Sequence, residues 1–361
     1  MGRLKTLIAD DSALYRKFIR SALEGADWID VVGAVPNGRI AIERMEDSKP
    51  DLLILDMEMP EMDGIQTLRE MKQRNLDCPT LVFSSLSKRG AEITLEALNL
   101  GARDFIAKPN GEGSGDDRGP VEKIQSVLVP KLEELFPSYL REQKNDVVAT
   151  PDEAFQKVVW SLFSPRIVVI GSSTGGPTVI EKIFASLSVP LSCPIVIAQH
   201  MPPVFTASFA DRLAKISGIA VTEAAHGDVL EKNHVYVAPG DYHLRLHGTS
   251  ERTVISLDQG PLIHSVRPSV DPLFQTAADL FGPQCLGLVL TGMGFDGRDG
   301  AAEVKRRGGA IAIQNKESCV VFGMPGAVFQ AGAFDRMADP EGIAEIINEK
   351  VGEGLAVRGC V

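Results

Sequence analysis

Two adjacent serines stand where a short β-branched run turns into a helical pattern, in Ile167-Val168-Val169-Ile170-Gly171-Ser172-Ser173-Thr174-Gly175-Gly176-Pro177. The pattern predicts a buried strand, a tight turn of small residues and an apolar-periodic helix through Phe184. A hydroxyl on such a turn stands at the carboxyl end of its strand, where open α/β sheets place their ligand crevice. Helix N–H groups lie close by to receive an oxyanion. Ser172 and Ser173 are therefore both candidate nucleophiles. The same turn also suits a phosphate held without catalysis, although no Gly-Lys-Ser/Thr follows and the glycine spacing fits neither the P-loop nor the dinucleotide fingerprint.

Partners for a serine nucleophile come from elsewhere in the chain. The run Pro194–Ala198 ends in Gln199-His200-Met201-Pro202, and Leu286–Leu290 ends in Thr291-Gly292-Met293-Gly294-Phe295-Asp296-Gly297. If these strands are parallel to the first, the serine pair, His200 and Asp296 converge on one sheet edge. A hydroxyl is a poor nucleophile until an imidazole takes its proton, and a carboxylate fixes the imidazole's tautomer and stabilises its charged form. Glycines on both sides of Met293 let backbone N–H groups approach a developing oxyanion. The other histidines, His226, His234, His243, His247 and His264, do not follow a buried run as His200 does. No His, Cys or Asp grouping has structural zinc spacing.

A second set of reactive groups lies in the first third of the chain. The runs Leu4–Ala9, Asp30–Val35, Asp51–Leu55, Thr80–Phe83 and Asp104–Ala107 alternate with helical patterns, which predicts a doubly wound parallel sheet. The first run ends in Asp10-Asp11, the third in Asp56, the fourth in Ser84-Ser85 and the fifth in Lys108-Pro109. Three carboxylates on neighbouring strand ends repel one another unless a cation is bound. Two acids for a hard divalent ion, a third as acceptor, and a hydroxyl and an ammonium for the phosphoryl oxygens make up a phosphotransfer site.

These residues need two domains to position them, and 361 residues allow two. The expected organisation is a phosphotransfer domain over 1–125, a linker over 126–164 with a helix at Asp152–Phe163, a hydrolase domain over 165–350, and a tail over 351–361. Both domains are expected to be α/β and doubly wound. A surface loop is expected at Asn110–Gly119. The net charge of −11, spread over both halves, argues against a nucleic-acid partner. The five cysteines, Cys78, Cys193, Cys285, Cys319 and Cys360, lack paired or metal-type spacing and predict reduced thiols in a cytoplasmic protein. The apolar runs are strand-sized, so no membrane insertion is expected.

The first domain resembles the receiver domain of two-component response regulators, a flavodoxin-like fold, and Asp56-Met57-Glu58-Met59-Pro60-Glu61-Met62-Asp63-Gly64 makes the match specific. The resemblance implies Asp56 as the phosphorylated residue, with Asp10, Asp11, Asp56 and the Glu58 carbonyl around Mg2+. It also implies Ser84 as a switch hydroxyl, Lys108 as the phosphate contact, and Phe105 as an aromatic that repacks on activation.

The second domain resembles the Rossmann-like catalytic domain of the chemotaxis protein-glutamate methylesterases, the CheB family. The motifs are Gly-Ser-Ser-Thr-Gly-Gly at 171–176, Gln-His-Met-Pro at 199–202, Ala-Pro-Gly-Asp at 238–241, Arg-Pro-Ser-Val-Asp at 267–271, Leu-Thr-Gly-Met-Gly at 290–294 and Ser-Cys-Val-Val-Phe-Gly-Met-Pro at 318–325. The resemblance selects Ser173 over Ser172, implies His200 and Asp296 as its triad partners, and places Thr174 and Met293 at the oxyanion site. Phe295 departs from the asparagine often found there.

The resemblance implies a phosphorylation-regulated serine hydrolase of glutamate methyl esters, with related deamidation of glutamines. Its substrates are methyl-accepting chemotaxis receptors, its phosphodonor a chemotaxis histidine kinase, and its cofactor Mg2+ at the receiver, with none for ester hydrolysis. A monomer is expected. The alternatives weighed are a receiver-controlled hydrolase of another protein ester or amide, and an output domain that only binds.

Overall fold

The computed structural model describes residues 2–109, 118–140 and 155–352, so the loop expected at 110–119 and the tail fall largely outside the described residues. The chain divides into two compact units between residues 146 and 147. In the first, the order is β1 (Leu4–Ala9), α1 (Ala13–Leu23), β2 (Ile29–Val35), α2 (Gly38–Ser48), β3 (Leu52–Asp56), α3 (Gly64–Gln73), β4 (Thr80–Ser84), α4 (Lys88–Asn99), β5 (Asp104–Ala107) and α5 (Pro120–Leu135). All the strand pairs are parallel, in the order β2-β1-β3-β4-β5.

Helices cover both faces of such a sheet, so its central strands read as unbroken apolar runs, and every residue of β3 and β4 is buried. Ala9 pairs with Leu55, Asp56 with Phe83 and Ser84 with Ala107, which brings the reactive strand ends to one edge. Side-chain caps start the helices there: Ser12 accepts from Tyr15 N, Asn37 from Ile40 N and Ser87 from Gly90 N, and Asp63 and Gln66 form a capping box. Helix α5 continues past the boundary expected at 125. Its Leu128 and Leu132 are buried in this unit's core, so residues 126–135 are part of the packed unit and not of a linker.

The helix expected at Asp152–Phe163 is not formed over 155–163, which hold one 3-10 turn at Trp160–Leu162; residues 152–154 lie outside the described residues. The backbone there is committed elsewhere. Val158 N donates to Asp335 Oδ1 at 3.0 Å, and Lys350 Nζ donates to Trp160 O at 2.6 Å. Phe155 packs against the core of the second unit, and the Trp160 ring stacks on Phe163 under the cations of Arg336 and Lys350. The segment is strapped to the second unit in extended form.

That unit runs β6 (Ile167–Ser172), α6 (Gly176–Ala185), β7 (Ile195–Gln199), α7 (Phe205–Ser217), β8 (Ala220–Glu223), β9 (His234–Val237), β10 (His243–Gly248), β11 (Thr253–Asp258), α8 (Val270–Phe281), β12 (Cys285–Val289), α9 (Arg298–Arg306), β13 (Ala310–Gln314), α10 (Met324–Gln330), β14 (Arg336–Ala338) and α11 (Pro340–Val351). Seven parallel strands stand in the order β14-β13-β12-β6-β7-β9-β8, and β10 and β11 form a separate antiparallel pair. Strand order reverses on either side of β6, so a crevice opens beyond the carboxyl ends of β12, β6 and β7. Helix α8, whose Leu273, Phe274 and Ala277 are fully buried, packs on β6 and on β10.

Candidate functional site

The serine turn follows β6 directly. Ser172, the last strand residue, is fully buried and donates its hydroxyl to Gln199 Oε1 at 2.5 Å. Ser173 is half-buried on the turn, with its N–H on Thr291 O at 3.0 Å and its carbonyl accepting from Gly176 N at 2.8 Å. The turn closes through Gly175, at φ +76°, where a Cβ would also stand 2.5 Å from Val320. Burial and a hydroxyl already spent therefore count against Ser172 and leave Ser173 as the candidate, a choice open on residue types alone. Gln199 Nε2 donates to Ser173 O at 3.0 Å and to His200 O at 3.2 Å, so one buried amide ties the serine turn to the histidine turn.

His200 follows β7, and its Nε2 lies 2.8 Å from Asp296 Oδ2. Asp296, on the turn between β12 and α9, is 2 % exposed and is held by four donors. Oδ1 accepts from Ser269 Oγ at 2.8 Å, Gly297 N at 2.9 Å and Asp271 N at 3.2 Å, and Oδ2 accepts from Val270 N at 2.7 Å. Burial alone would raise this carboxyl. The bond and charge of His200, with Val270 N–H and Ser269, outweigh it and hold Asp296 ionised, well below the usual carboxylate range.

The structure thus gathers the three residues at one edge and joins two of them. Ser173 Oγ makes no hydrogen bond to His200, whose Nδ1 is the ring nitrogen not committed to Asp296; such contacts tighten on substrate binding. Thr174, behind the serine, is 2 % exposed, and its Oγ1 is buried without a partner. Met293 is half-buried, and Gly294 beside it takes φ +78°. A depression of about 300 Å³ opens beside His200, lined by Met201, Leu262, Val266 and Arg267 among others. Phe295 is 46 % exposed, edge-on to His264.

At the other sheet edge, Asp10, Asp11 and Asp56 offer oxygens within 4.8 Å of one another. Lys108 Nζ lies 2.8 Å from Asp56 Oδ2 and 3.0 Å from Asp10 Oδ2. One ammonium faces three carboxylates, and Asp10 Oδ2 is buried with no directed hydrogen bond. Burial pushes the Asp56 carboxyl up to about 6 against the pull of Lys108. Three carboxylates against one ammonium leave a surplus of negative charge on an all-oxygen donor set, which fits a hard divalent cation. Ser84 Oγ donates to Gly90 O at 3.3 Å, Glu58 N points to Asp56 Oδ1 at 3.4 Å, and Phe105 is buried.

The sequence reading missed several residues here. Tyr15 and Phe83 face the Lys108 ammonium at 4.8 and 5.7 Å from their ring centroids. Gln199, Ser269 and Asp271 support the second site, although each sits inside or beside a motif already singled out. His264 does not follow a buried run, yet its Nε2 lies 2.9 Å from Asp271 Oδ2. His264, Asp271 and Asp299 converge within 4.8 Å, a grouping that spacing along the chain does not betray. Asp299 is paired with Arg298 at 2.8 Å.

Comparison with known proteins matches residues 6–115 to the response regulator receiver domain and 168–347 to the CheB methylesterase domain. A protein-glutamate methylesterase/protein-glutamine glutaminase of Trichodesmium erythraeum is 39 % identical, covering 98 % of this chain and all of that one. One from Pyrococcus horikoshii is 38 % identical over 97 % of this chain and 95 % of its own. The crystal structure of the Thermotoga maritima CheB methylesterase catalytic domain, 43 % identical, covers 52 % of this chain and 98 % of that one, with a TM-score of 0.50.

Proposed function

The chain belongs to the family of receiver-linked CheB methylesterases, and from that premise we propose that it hydrolyses glutamate methyl esters, and deamidates glutamines, on methyl-accepting chemotaxis receptors under the control of phosphorylation. The observation that carries the reading is the 2.8 Å bond between His200 and a four-donor Asp296, at the sheet edge where Ser173 stands on its turn.

In this reading Ser173 Oγ attacks the ester carbonyl carbon while His200 takes the hydroxyl proton. Asp296, ionised throughout, orients the imidazole and stabilises its charged form. The oxyanion settles against the backbone N–H groups of Thr174 and Met293. The C–O bond to methanol breaks as His200 returns the proton to it. Water, activated by the same imidazole, then opens the acyl-enzyme to glutamate and free Ser173. With a glutamine substrate, ammonia leaves in place of methanol.

Control rests on Asp56 as the acceptor of a phosphoryl group from a histidine kinase. Asp10, Asp11, Asp56 and the Glu58 carbonyl would hold Mg2+, which neutralises charge on the phosphoryl oxygens when bound. Lys108 supplies the opposing cation, and Ser84 trades its bond to Gly90 O for the phosphoryl group.

The test is methanol release from receptor membranes methylated at their glutamates. Ser173→Ala is expected to lose roughly 10⁴-fold or more in turnover. Ser172→Ala, which removes a buried bond to Gln199 and not the attacking hydroxyl, is expected to lose far less turnover than Ser173→Ala. Equal rates for Ser173→Ala and the parent would overturn the reading.

A further inference from the structure

A second histidine–carboxylate pair stands back to back with the first. Asp296, just ahead of α9, accepts the Val270 and Asp271 N–H groups at the start of α8. Asp271, in the first turn of α8, in return accepts Gly300 N–H from the first turn of α9 at 2.7 Å. The two helices therefore exchange carboxylate caps, each favoured by the other's N-terminal partial charge. The approach is close: a Cβ on Gly300 would fall 2.6 Å from Phe274 Cβ and 3.1 Å from Asp271 Oδ1. His264 holds the other Asp271 oxygen, and the edge of Phe295 braces the His264 ring at 4.5 Å between centroids.

We propose that His264 and Asp271 are positioning residues for the hydrolysis, holding the α8 N-terminus on Asp296 and, through the charge of Asp271, setting the pH at which His200 becomes a competent base. The proposal rests on the Ser173–His200–Asp296 reading. The groups facing Asp271 are Asp296, Asp299, Arg298 and His264, with His200 beyond Asp296. Burial and the Asp296 charge raise Asp271 to about 6, so it changes charge close to the range in which histidine titrates.

Removing the Asp271 charge destabilises the His200 imidazolium, so the base is freed at lower pH. In Asp271→Asn the amide carbonyl still accepts from Gly300, and its N–H can donate to neutral His264. The experiment is kcat/KM for methanol release against pH in the full chain. Asp271→Asn is expected to move the acid limb down by about 0.5 unit or more. His264→Phe keeps the aromatic contact with Phe295 and leaves Asp271 easier to protonate, so it moves the limb the same way, and adding it to Asp271→Asn shifts the limb no further. An acid limb that stays in place in both single variants, while Ser173→Ala remains inactive, overturns this proposal and spares the triad. Release that does not depend on Ser173 overturns both.

Discussion

Ser172 spends its hydroxyl on Gln199 inside the core, whereas Ser173, one position on, stands half-buried beside the His200 turn. Which hydroxyl is spare separates the two candidates, and residue types alone leave that open because an unbroken apolar run does not say where its strand ends. The place of His200 at the sheet edge was legible, since it follows a buried run; the donors that hold its partner Asp296, Ser269 Oγ and the Asp271 N–H, were not, because they come from the start of another helix. Asp56 carries a testable charge effect of its own. Its folded value near 6 lies above its unfolded value of 3.8, so its contribution to stability is present below about pH 3.8 and lost as pH rises through about 6. At pH 7.5 the ionised group is a net burden, and Asp56→Asn should stabilise the first unit by up to ~3 kcal/mol in the absence of Mg2+, with little gain at pH 4. Urea denaturation at the two pH values checks this, and an equal gain at both would refute the charge argument.

Between elements, the proposed catalytic groups are fixed by ties that cross from one turn to the next. Gln199 spans the serine and histidine turns, Thr291 O holds Ser173 N, and Thr291 Oγ1 donates to Thr174 O at 3.0 Å and accepts from Val320 and Val321 N. Gly176 must stay bare, because a Cβ there would lie 2.2 Å from Gln199 Oε1 and 2.8 Å from Ser172 Cβ. Gly176→Ala should therefore cost at least ~10²-fold in turnover through displacement of the nucleophile, while phosphorylation of Asp56 proceeds at the parental rate. Comparison of methanol release with phosphoryl incorporation separates the two effects; equal loss of both would mean a general folding defect. The parallel strands were readable from their unbroken apolar runs. The spacing over Asp152–Phe163 is helix-like, yet in the described part, 155–163, it reflects docking of Phe155 and Trp160 on the second unit, with Val158 N–H taken by Asp335.

Over the whole molecule, two α/β units each place their chemistry beyond the carboxyl ends of a parallel sheet, one to accept a phosphoryl group and one to cleave an ester. No helix among the described residues is long and apolar enough to cross a membrane. The two-domain plan was legible because β-runs alternate with helical patterns twice, whereas the boundary at 125 fell short because α5 continues the apolar period of the first core. In the proposed function the state of Asp56 governs the rate at which Ser173 works, by shifting the population of a competent form. The direct measurement is methanol release from methylated receptor membranes with Mg2+, with and without a small phosphodonor, in the parent and in Asp56→Asn. Stimulation is expected in the parent and a donor-independent basal rate in Asp56→Asn, both abolished by Ser173→Ala. Full stimulation of Asp56→Asn by the donor would contradict it.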